Sequence, residues 1–127
     1  MPTDATLDAL SHRVIGAAIE VHRALGPGLL ESAYQACLAA ELSHLSIGFV
    51  REVPVPIVYG DQRLDAGYRI DFLVENGLIV ETKALQGLLP VHEAQLLSHM
   101  RLAGKSLGLL INFHEVVLRN GIKRRVL

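Results

Sequence analysis

The sequence predicts a mixed α/β domain in which helices flank a central sheet, in the order α-α-β-β-β-α-β-β-β. Two N-terminal stretches repeat apolar residues at three- and four-residue spacing, as amphipathic helices do. The middle of the chain then alternates apolar and polar residues, which is typical of strands. A third helical pattern precedes a nearly continuous apolar run, which indicates a strand buried on both faces.

The helices have clear ends in the sequence. The first is predicted over residues 7–25, where the Gly-Pro-Gly of residues 26–28 ends it. The second is predicted over about residues 29–45, and the third over residues 90–103, with Gly104 as its end. These three helices are the ones that we expect to cover the sheet.

The strand pattern begins with residues 49–59, which we predict to be one edge strand. Pro54 and Pro56 support the edge position, because proline cannot donate a hydrogen bond to a neighbouring strand. The remaining strands are predicted over residues 68–74, 78–84 and 107–113, and in a last hairpin that turns at Asn120-Gly121 and ends in the basic Lys123-Arg124-Arg125.

Composition places limits on the class of protein. The chain has 127 residues, 50% of them hydrophobic, which favours one domain over residues 1–127. A net charge of −1 argues against a protein that coats nucleic acid, but not against an enzyme that contacts it at one site. The single cysteine, Cys37, excludes an internal disulfide or a cysteine-rich zinc site. A polar N-terminus and the lack of an apolar run of about 18 residues predict a cytoplasmic protein with no membrane contact.

The hairpin over residues 68–84 carries charges within an apolar pattern, and its register decides where they lie. A two-residue Asn76-Gly77 turn would drive charges onto an apolar face. A three-residue loop with Gly77 in the left-handed conformation pairs Val74 with Leu78 instead, and the hydrophobic pattern favours this register. One face then carries Ile70, Phe72, Val74, Leu78, Val80 and Thr82, and the other carries Arg69, Asp71, Leu73, Ile79, Glu81 and Lys83.

In this register Asp71 lies opposite Glu81, with their Cβ atoms about 5 Å apart. Such a pair of like charges destabilises two strands, and a hard divalent cation compensates because it binds carboxylate oxygens. A solvent-facing charge ladder, in which Arg69 and Lys83 neutralise the two acids, explains the spacing equally well. Spacing alone therefore leaves the metal site and the charge ladder as alternatives.

The pattern of Asp71, Glu81 and Lys83, Asp-x9-Glu-x-Lys, resembles the PD-(D/E)XK phosphodiesterase superfamily, which includes restriction-type nucleases and Holliday-junction resolvases. GLLESAY, at residues 28–34, resembles the Gly-x-x-Glu-x-x-Tyr signature of the small bacterial GxxExxY family within that superfamily. VIGAAIEVHRALGPGLLESAY, VHEAQLL and GLLINF are similar to the same family, and the resemblance extends over about residues 12–127. It implies a restriction-endonuclease-like sheet that carries an acidic cluster.

The resemblance also implies a set of site residues. Glu31 would complete the cluster, and it would hold Mg²⁺ or Mn²⁺ together with Asp71, Glu81 and the backbone carbonyl of Thr82. Lys83 would position or deprotonate the attacking water, or bind a phosphate oxygen. Without the resemblance, Glu31 is explained by its position in a first helical turn, where an acid suits the helix dipole.

A Gln-x-x-x-Tyr motif of the exonuclease branch implies a catalytic role for Gln95. This chain departs from that motif, because His99 takes the place of the tyrosine. His99 is one turn from Gln95 on the same helical face, so a phosphate contact and a packing role are both open. We expect Tyr34 to pack and orient the second helix, and we expect His22 to be structural. The histidines lack the spacing of a zinc site.

The implied activity is metal-dependent hydrolysis of nucleic-acid phosphodiester bonds, with DNA as the first expectation for the substrate. A domain of this size covers little of a duplex, so a homodimer is consistent with it. One alternative is a non-catalytic module that keeps the nuclease fold and binds nucleic acid or protein. The presence of Glu31, Asp71, Glu81 and Lys83 together argues against that module. Another alternative is a substrate other than a long nucleic acid.

Overall fold

The computed structural model describes residues 3–127 and has the predicted architecture of a mixed sheet between helices. Five strands form the main sheet in the order β1-β4-β5-β6-β7, while β2 and β3 form a separate hairpin. The helices are α1 (Asp4–Leu25), α2 (Glu31–His44) and α3 (Pro90–Ala103). The strands are β1 (Phe49–Pro54), β2 (Ile57–Tyr59), β3 (Gln62–Leu64), β4 (Arg69–Val74), β5 (Leu78–Lys83), β6 (Leu107–Asn112) and β7 (Ile122–Val126).

The main sheet separates two apolar cores. The larger core joins α1 and α2 to one face of the sheet, and the smaller core joins α3 to the other face. β6 is buried along its whole length, as predicted for a strand covered on both sides. Gly108 allows α3 to approach β6 closely, because a Cβ there would lie 2.7 Å from the Met100 sulfur. Within the described residues, no helix is both long and apolar enough to cross a bilayer.

The start of α2 is fixed by Tyr34, which packs and orients this helix as expected. Its side chain is fully buried and its ring stacks on Phe113, with centroids 4.7 Å apart. The Tyr34 hydroxyl donates a hydrogen bond to the carbonyl of Gly26 and accepts one from the backbone N–H of Leu29. The loop before α2 is therefore tied to the helix that follows it, and this determines where Glu31 lies.

The predicted strand over residues 49–59 is wrong in its extent. It divides into β1 and β2, which belong to different sheets, and the additional strand β3 pairs with β2. At the break the backbone N–H of Val55 donates to the carbonyl of Tyr68, and the Val55 side chain enters the smaller core. The predicted edge position is correct, because β1 forms one edge of the main sheet. The alternation of apolar and polar residues continues unchanged across the break, so the sequence pattern could not indicate that the chain changes its partner strand.

The predicted C-terminal hairpin is also wrong. Leu118–Gly121 forms a 3₁₀ helix, and β7 then pairs antiparallel with β6. Gly121 is required there by close packing, because a Cβ at this position would lie 2.5 Å from the carbonyl oxygen of Asn112. The Asn120-Gly121 signal thus lies where the chain turns toward β7, but it does not form a hairpin turn.

The predicted register of the β4–β5 hairpin is confirmed, with Val74 paired to Leu78 across the three-residue loop. The expected conformation of Gly77 is wrong, since Glu75 and Asn76 have the positive φ angles, 49° and 55°. Asparagine tolerates this region, and Glu75 is held there by hydrogen bonds between its N–H and the Gly48 carbonyl and between its carboxylate and the Gly48 N–H.

Candidate active site

The acidic residues and Lys83 meet where β4 begins and β5 ends, beside the first turn of α2. Glu31 is the first residue of α2, Asp71 lies near the start of β4, and Glu81 and Lys83 end β5. The charges of Asp71, Glu81 and Lys83 all act on the pKa of Glu31. The fold therefore brings these four predicted residues into one electrostatic cluster, which we call the acidic cluster.

Burial shapes the electrostatics of the acidic cluster. It raises the pKa of Asp71, and repulsion from Glu81 adds to that rise, while the Thr82 N–H and Lys83 oppose it. Burial likewise raises the pKa of Glu31, with repulsion from Asp71 next in importance and Lys83 opposing. Ionising either carboxyl group therefore costs free energy, which the positive charge of a bound cation would offset.

Asp71 and Glu81 have separate partners. The ladder between β4 and β5 ends at the pair Phe72 and Val80, one step before them. Asp71 Oδ2 accepts hydrogen bonds from the backbone N–H of Thr82 at 2.8 Å and from its hydroxyl at 3.3 Å. Glu81 Oε2 instead lies 2.6 Å from Nδ1 of His99 on α3. Each carboxylate therefore has its own hydrogen-bond partner, while the charge of Glu81 still raises the pKa of Asp71.

The strand alternation is interrupted beside Asp71. Glu52 of β1 has a left-handed backbone, with φ of 54°, between the pairs Arg51–Phe72 and Val53–Ile70. The prediction that Ile70 shares a face with Phe72 is wrong, because Ile70 packs with Val53 in the smaller core. This change of face in β4 lies opposite the left-handed residue of the neighbouring strand β1. Glu52 also contributes to the raised pKa of Glu31.

A buried glutamine that the sequence analysis did not identify joins α2 to β5. Gln35 Nε2 donates to Glu31 Oε2 at 3.0 Å and to Thr82 Oγ1 at 2.9 Å. The Thr82 hydroxyl in turn donates to Asp71, so the chain of hydrogen bonds runs from Glu31 to Asp71. A polar residue one turn after Glu31, within the buried stripe of α2, is the signal that could have indicated Gln35. The Thr82 side chain therefore takes part in the site, whereas only its backbone carbonyl was predicted to do so.

Replacing Thr82 with valine is expected to destabilise the protein by about 1–3 kcal/mol, because a buried donor of Gln35 loses its acceptor. Valine keeps the branched shape that suits a strand, so the loss reflects the hydroxyl. Thr82→Ser, which keeps the hydroxyl, is the matched control and should remain closer to wild type. Urea denaturation measures both, and a Thr82→Val variant as stable as wild type would show that the hydrogen-bond chain has little energetic weight.

His99, and not Gln95, contacts the acidic cluster. The His99 side chain is 13% exposed, and its imidazole lies between the Glu81 carboxylate and the ring of Tyr68, whose centroid is 5.9 Å away. Gln95 lies one turn earlier on α3, at the surface. His99 is therefore neither a free surface residue nor packed only among apolar groups, and a contact between His99 and a phosphate stays a prediction.

The predicted charge ladder does not form at Arg69. Its guanidinium lies 3.8 Å from Asp65 and donates to the Tyr68 carbonyl, so it does not neutralise Asp71. Among the described residues, the ion pairs within 4.0 Å include none to Lys83. The positive charge of Lys83 instead lowers the pKa values of Glu31 and Asp71 without a direct ion pair. This arrangement differs from a solvated row of paired charges.

The acidic cluster fits a divalent cation by the chemistry of its donors. Glu31, Asp71 and Glu81 supply the carboxylate oxygens that Mg²⁺ and Mn²⁺ prefer. In residues 3–127, however, no group of three or more His, Cys, Asp or Glu side chains is arranged to hold a metal ion. One of the three carboxylates, that of Glu81, is in contact with His99 on α3.

Comparison with known proteins identifies a superfamily. A family model described as the PD-(D/E)XK nuclease superfamily matches residues 8–125, a range that includes every residue of the acidic cluster. The mixed sheet with flanking helices is consistent with the restriction-endonuclease-like fold predicted from the sequence. No curated protein and no solved structure matches the chain.

Proposed function

Because the chain belongs to the PD-(D/E)XK nuclease superfamily, we propose that it is a nuclease that hydrolyses phosphodiester bonds with Mg²⁺ or Mn²⁺. Members of this superfamily are generally nucleases and typically use divalent metals, and a nuclease implies a nucleic-acid substrate. The observation that carries the proposal is the acidic cluster, in which two half-buried carboxyl groups with raised pKa values, those of Glu31 and Asp71, lie beside Lys83. The GLLESAY segment, which places Glu31 at the start of α2, supports membership of the GxxExxY family.

In this proposal each residue has a defined part. Asp71 and Glu81, with Glu31 and the Thr82 carbonyl, would hold the cation. When bound, the cation supplies Lewis-acid polarisation of the phosphoryl group and a more acidic water. Gln35 and Thr82 fix the carboxylates of Glu31 and Asp71 through their hydrogen bonds.

Lys83 would contact the substrate phosphate or the attacking water. Its ammonium lies close enough to Glu31 and Asp71 to affect both carboxyl groups, yet it has no ion pair among those found in the described residues. It is therefore available to bind a phosphate oxygen or to orient the attacking water. Gln95 lies one turn from His99 at the surface of α3, where we propose that it contacts the substrate.

We propose DNA as the polymer, bound by one domain that acts alone or as a homodimer. The exposed guanidinium groups of Arg63 and Arg69 support binding of a phosphate backbone. Arg51 has a different position, because its guanidinium lies over the ring of Phe72, 5.3 Å from the centroid.

A non-catalytic nucleic-acid- or protein-binding module is the second candidate. The observation that favours it is the 2.6 Å contact between Glu81 and His99, which engages one of the proposed metal ligands. The assay that separates the two candidates is cleavage of single-stranded, duplex and branched DNA and of RNA, with Mn²⁺ or Mg²⁺ and with excess EDTA. We expect cleavage of at least one substrate that EDTA abolishes. If no substrate is cleaved with either metal, the binding module is favoured.

A further inference from the structure

A groove of about 520 Å³ lies next to the acidic cluster, between α3 and the segment that leads into β4. Its volume is within the range of roughly 300–1,000 Å³ that is usual for small-molecule sites. Its apolar walls come from Ile57, Val91 and Leu102, and the last two are 52% and 40% exposed. Water therefore covers a concave apolar surface beside the acidic cluster, and covering it with a ligand would be favourable.

His99 lines the groove and also contacts the acidic cluster. Its imidazole lines the groove, while its Nδ1 lies 2.6 Å from the Glu81 carboxylate. A single ring therefore separates the groove from a carboxylate of the acidic cluster. In a nucleotide, a single sugar ring separates the base from the phosphate. A phosphate at the acidic cluster would thus have its own base, or the adjacent one, within reach of the groove.

The remaining side chains suit a nucleobase. Tyr68 is 48% exposed and its ring lines the groove, so it offers an aromatic face on which a base can stack. Gln95 and Ser98 line the same groove and can form hydrogen bonds with the edge of a base. Arg101 donates to the Ser98 hydroxyl at 3.2 Å, which places a positive charge at the groove, as a phosphate backbone requires. An apolar protein segment would not need this combination.

We propose that this groove binds one unpaired base of the substrate whose phosphodiester lies at the acidic cluster, an inference that rests on the proposed function. A base within a duplex has both faces stacked and cannot enter the groove. The substrate class is therefore single-stranded DNA, or DNA with an unpaired nucleotide next to the cleaved bond.

Tyr68 provides the test, because stacking needs its ring but not its hydroxyl. Fluorescence anisotropy with Ca²⁺ in place of Mn²⁺ measures the affinity for a labelled single-stranded DNA oligonucleotide and for a blunt duplex of the same sequence. A gel of the same samples verifies that the DNA stays intact. We expect Tyr68→Ala to weaken single-strand binding by about 5- to 150-fold, and to leave duplex binding unchanged. Tyr68→Phe should bind as wild type does.

Two further variants distinguish the loss of a binding contact in the groove from a general loss of folding. Tyr59→Ala removes a tyrosine that is 77% exposed on β2 and does not line the groove, so it is the matched control. Ala94→Leu fills the groove from the surface of α3 and should weaken single-strand binding without touching either core. Circular dichroism verifies that each variant is folded.

The outcomes distinguish this proposal from the proposed function. If Tyr68→Ala and Ala94→Leu leave single-strand binding unchanged, or weaken single-strand and duplex binding equally, the groove is not a base subsite, and it would then suit a protein partner. Metal-dependent cleavage by the wild type would still stand in that case. If single-strand binding depends on Tyr68 but no substrate is cleaved with Mn²⁺ or Mg²⁺, the base subsite is supported and the nuclease activity is not.

Discussion

Replacing Asp71 with asparagine is expected to lower cleavage by about 10²- to 10⁴-fold while raising the free energy of unfolding at neutral pH. Activity falls because asparagine cannot supply the negative charge that the proposed cation requires. The fold is preserved because the asparagine oxygen can still accept the backbone hydrogen bond from Thr82. Loss of activity together with a gain in stability is the behaviour of a functional residue that the fold holds at a cost.

The sign of the stability change follows from the raised pKa of Asp71, which burial causes first and Glu81 increases. A carboxyl group with a raised pKa contributes stability that is fully present below its unfolded pKa and is lost as the pH rises through its folded pKa. The loss therefore begins at about pH 4 and is complete above the raised value. At neutral pH the neutral asparagine avoids this loss.

Urea denaturation of wild type and Asp71→Asn at acidic and neutral pH measures the effect, and a cleavage assay follows activity. The difference between the two proteins should grow as the pH rises. Asp61→Asn, in the exposed turn between β2 and β3, is the control and should change neither property. If Asp71→Asn is less stable than wild type at neutral pH, or cleaves DNA at the wild-type rate, this account of the acidic cluster is wrong.

Replacing Lys83 with methionine is expected to lower cleavage by a similar factor, about 10²–10⁴, because the site loses its contact to the phosphate or water. Metal binding should respond in the opposite way. Lys83 is the group whose positive charge lowers the pKa values of Glu31 and Asp71, and its removal leaves more uncompensated negative charge to attract a cation. Mn²⁺ affinity should therefore be retained or increased.

Lys105→Met is the matched control, because Lys105 lies at the other end of the sheet, where its ammonium donates to the Asn76 carbonyl. Lys83→Arg then tests whether the lysine acts as a cation or as a base. Arginine keeps the charge but cannot accept a proton, so it can preserve activity if Lys83 binds a phosphate oxygen or orients the attacking water, but not if Lys83 deprotonates that water. Wild-type cleavage by Lys83→Met would exclude both roles.

The main features of the fold follow from local patterns in the sequence. The three helices follow from apolar periodicity, α1 and α3 end at glycines, and the predicted β4–β5 register agrees with the observed pairs. That register is well determined because a slip of one residue would bury charges and expose apolar residues. The same argument places Asp71, Glu81 and Lys83 near one end of the hairpin.

Features that depend on distant contacts could not be predicted. The break between β1 and β2 depends on Val55 entering a core that α3 completes, and alternation continues through it unchanged. The left-handed backbone of Glu52 is equally invisible, because glutamate rarely adopts it and nothing nearby in sequence requires it.

Gln35 and His99, the helical residues that contact the site, could not be predicted for a related reason. Gln35 and His99 are on helices, 47 and 18 residues from the β5 residues that they contact. Helical periodicity places such residues on a face, but only the packed sheet determines which strand residue that face meets. A polar residue in an otherwise buried stripe, such as Gln35, is the local sign that such a contact exists.

Calorimetric titration with Mn²⁺ tests the central claim most directly, because it concerns the acidic cluster and requires no knowledge of the substrate. Wild type and an Asp71→Ala/Glu81→Ala double variant are compared, with circular dichroism to verify that both are folded. We predict saturable binding by the wild type that is lost in the double variant. Equal binding by both proteins, or binding by neither with or without single-stranded DNA present, would contradict the claim that this cluster holds a divalent cation.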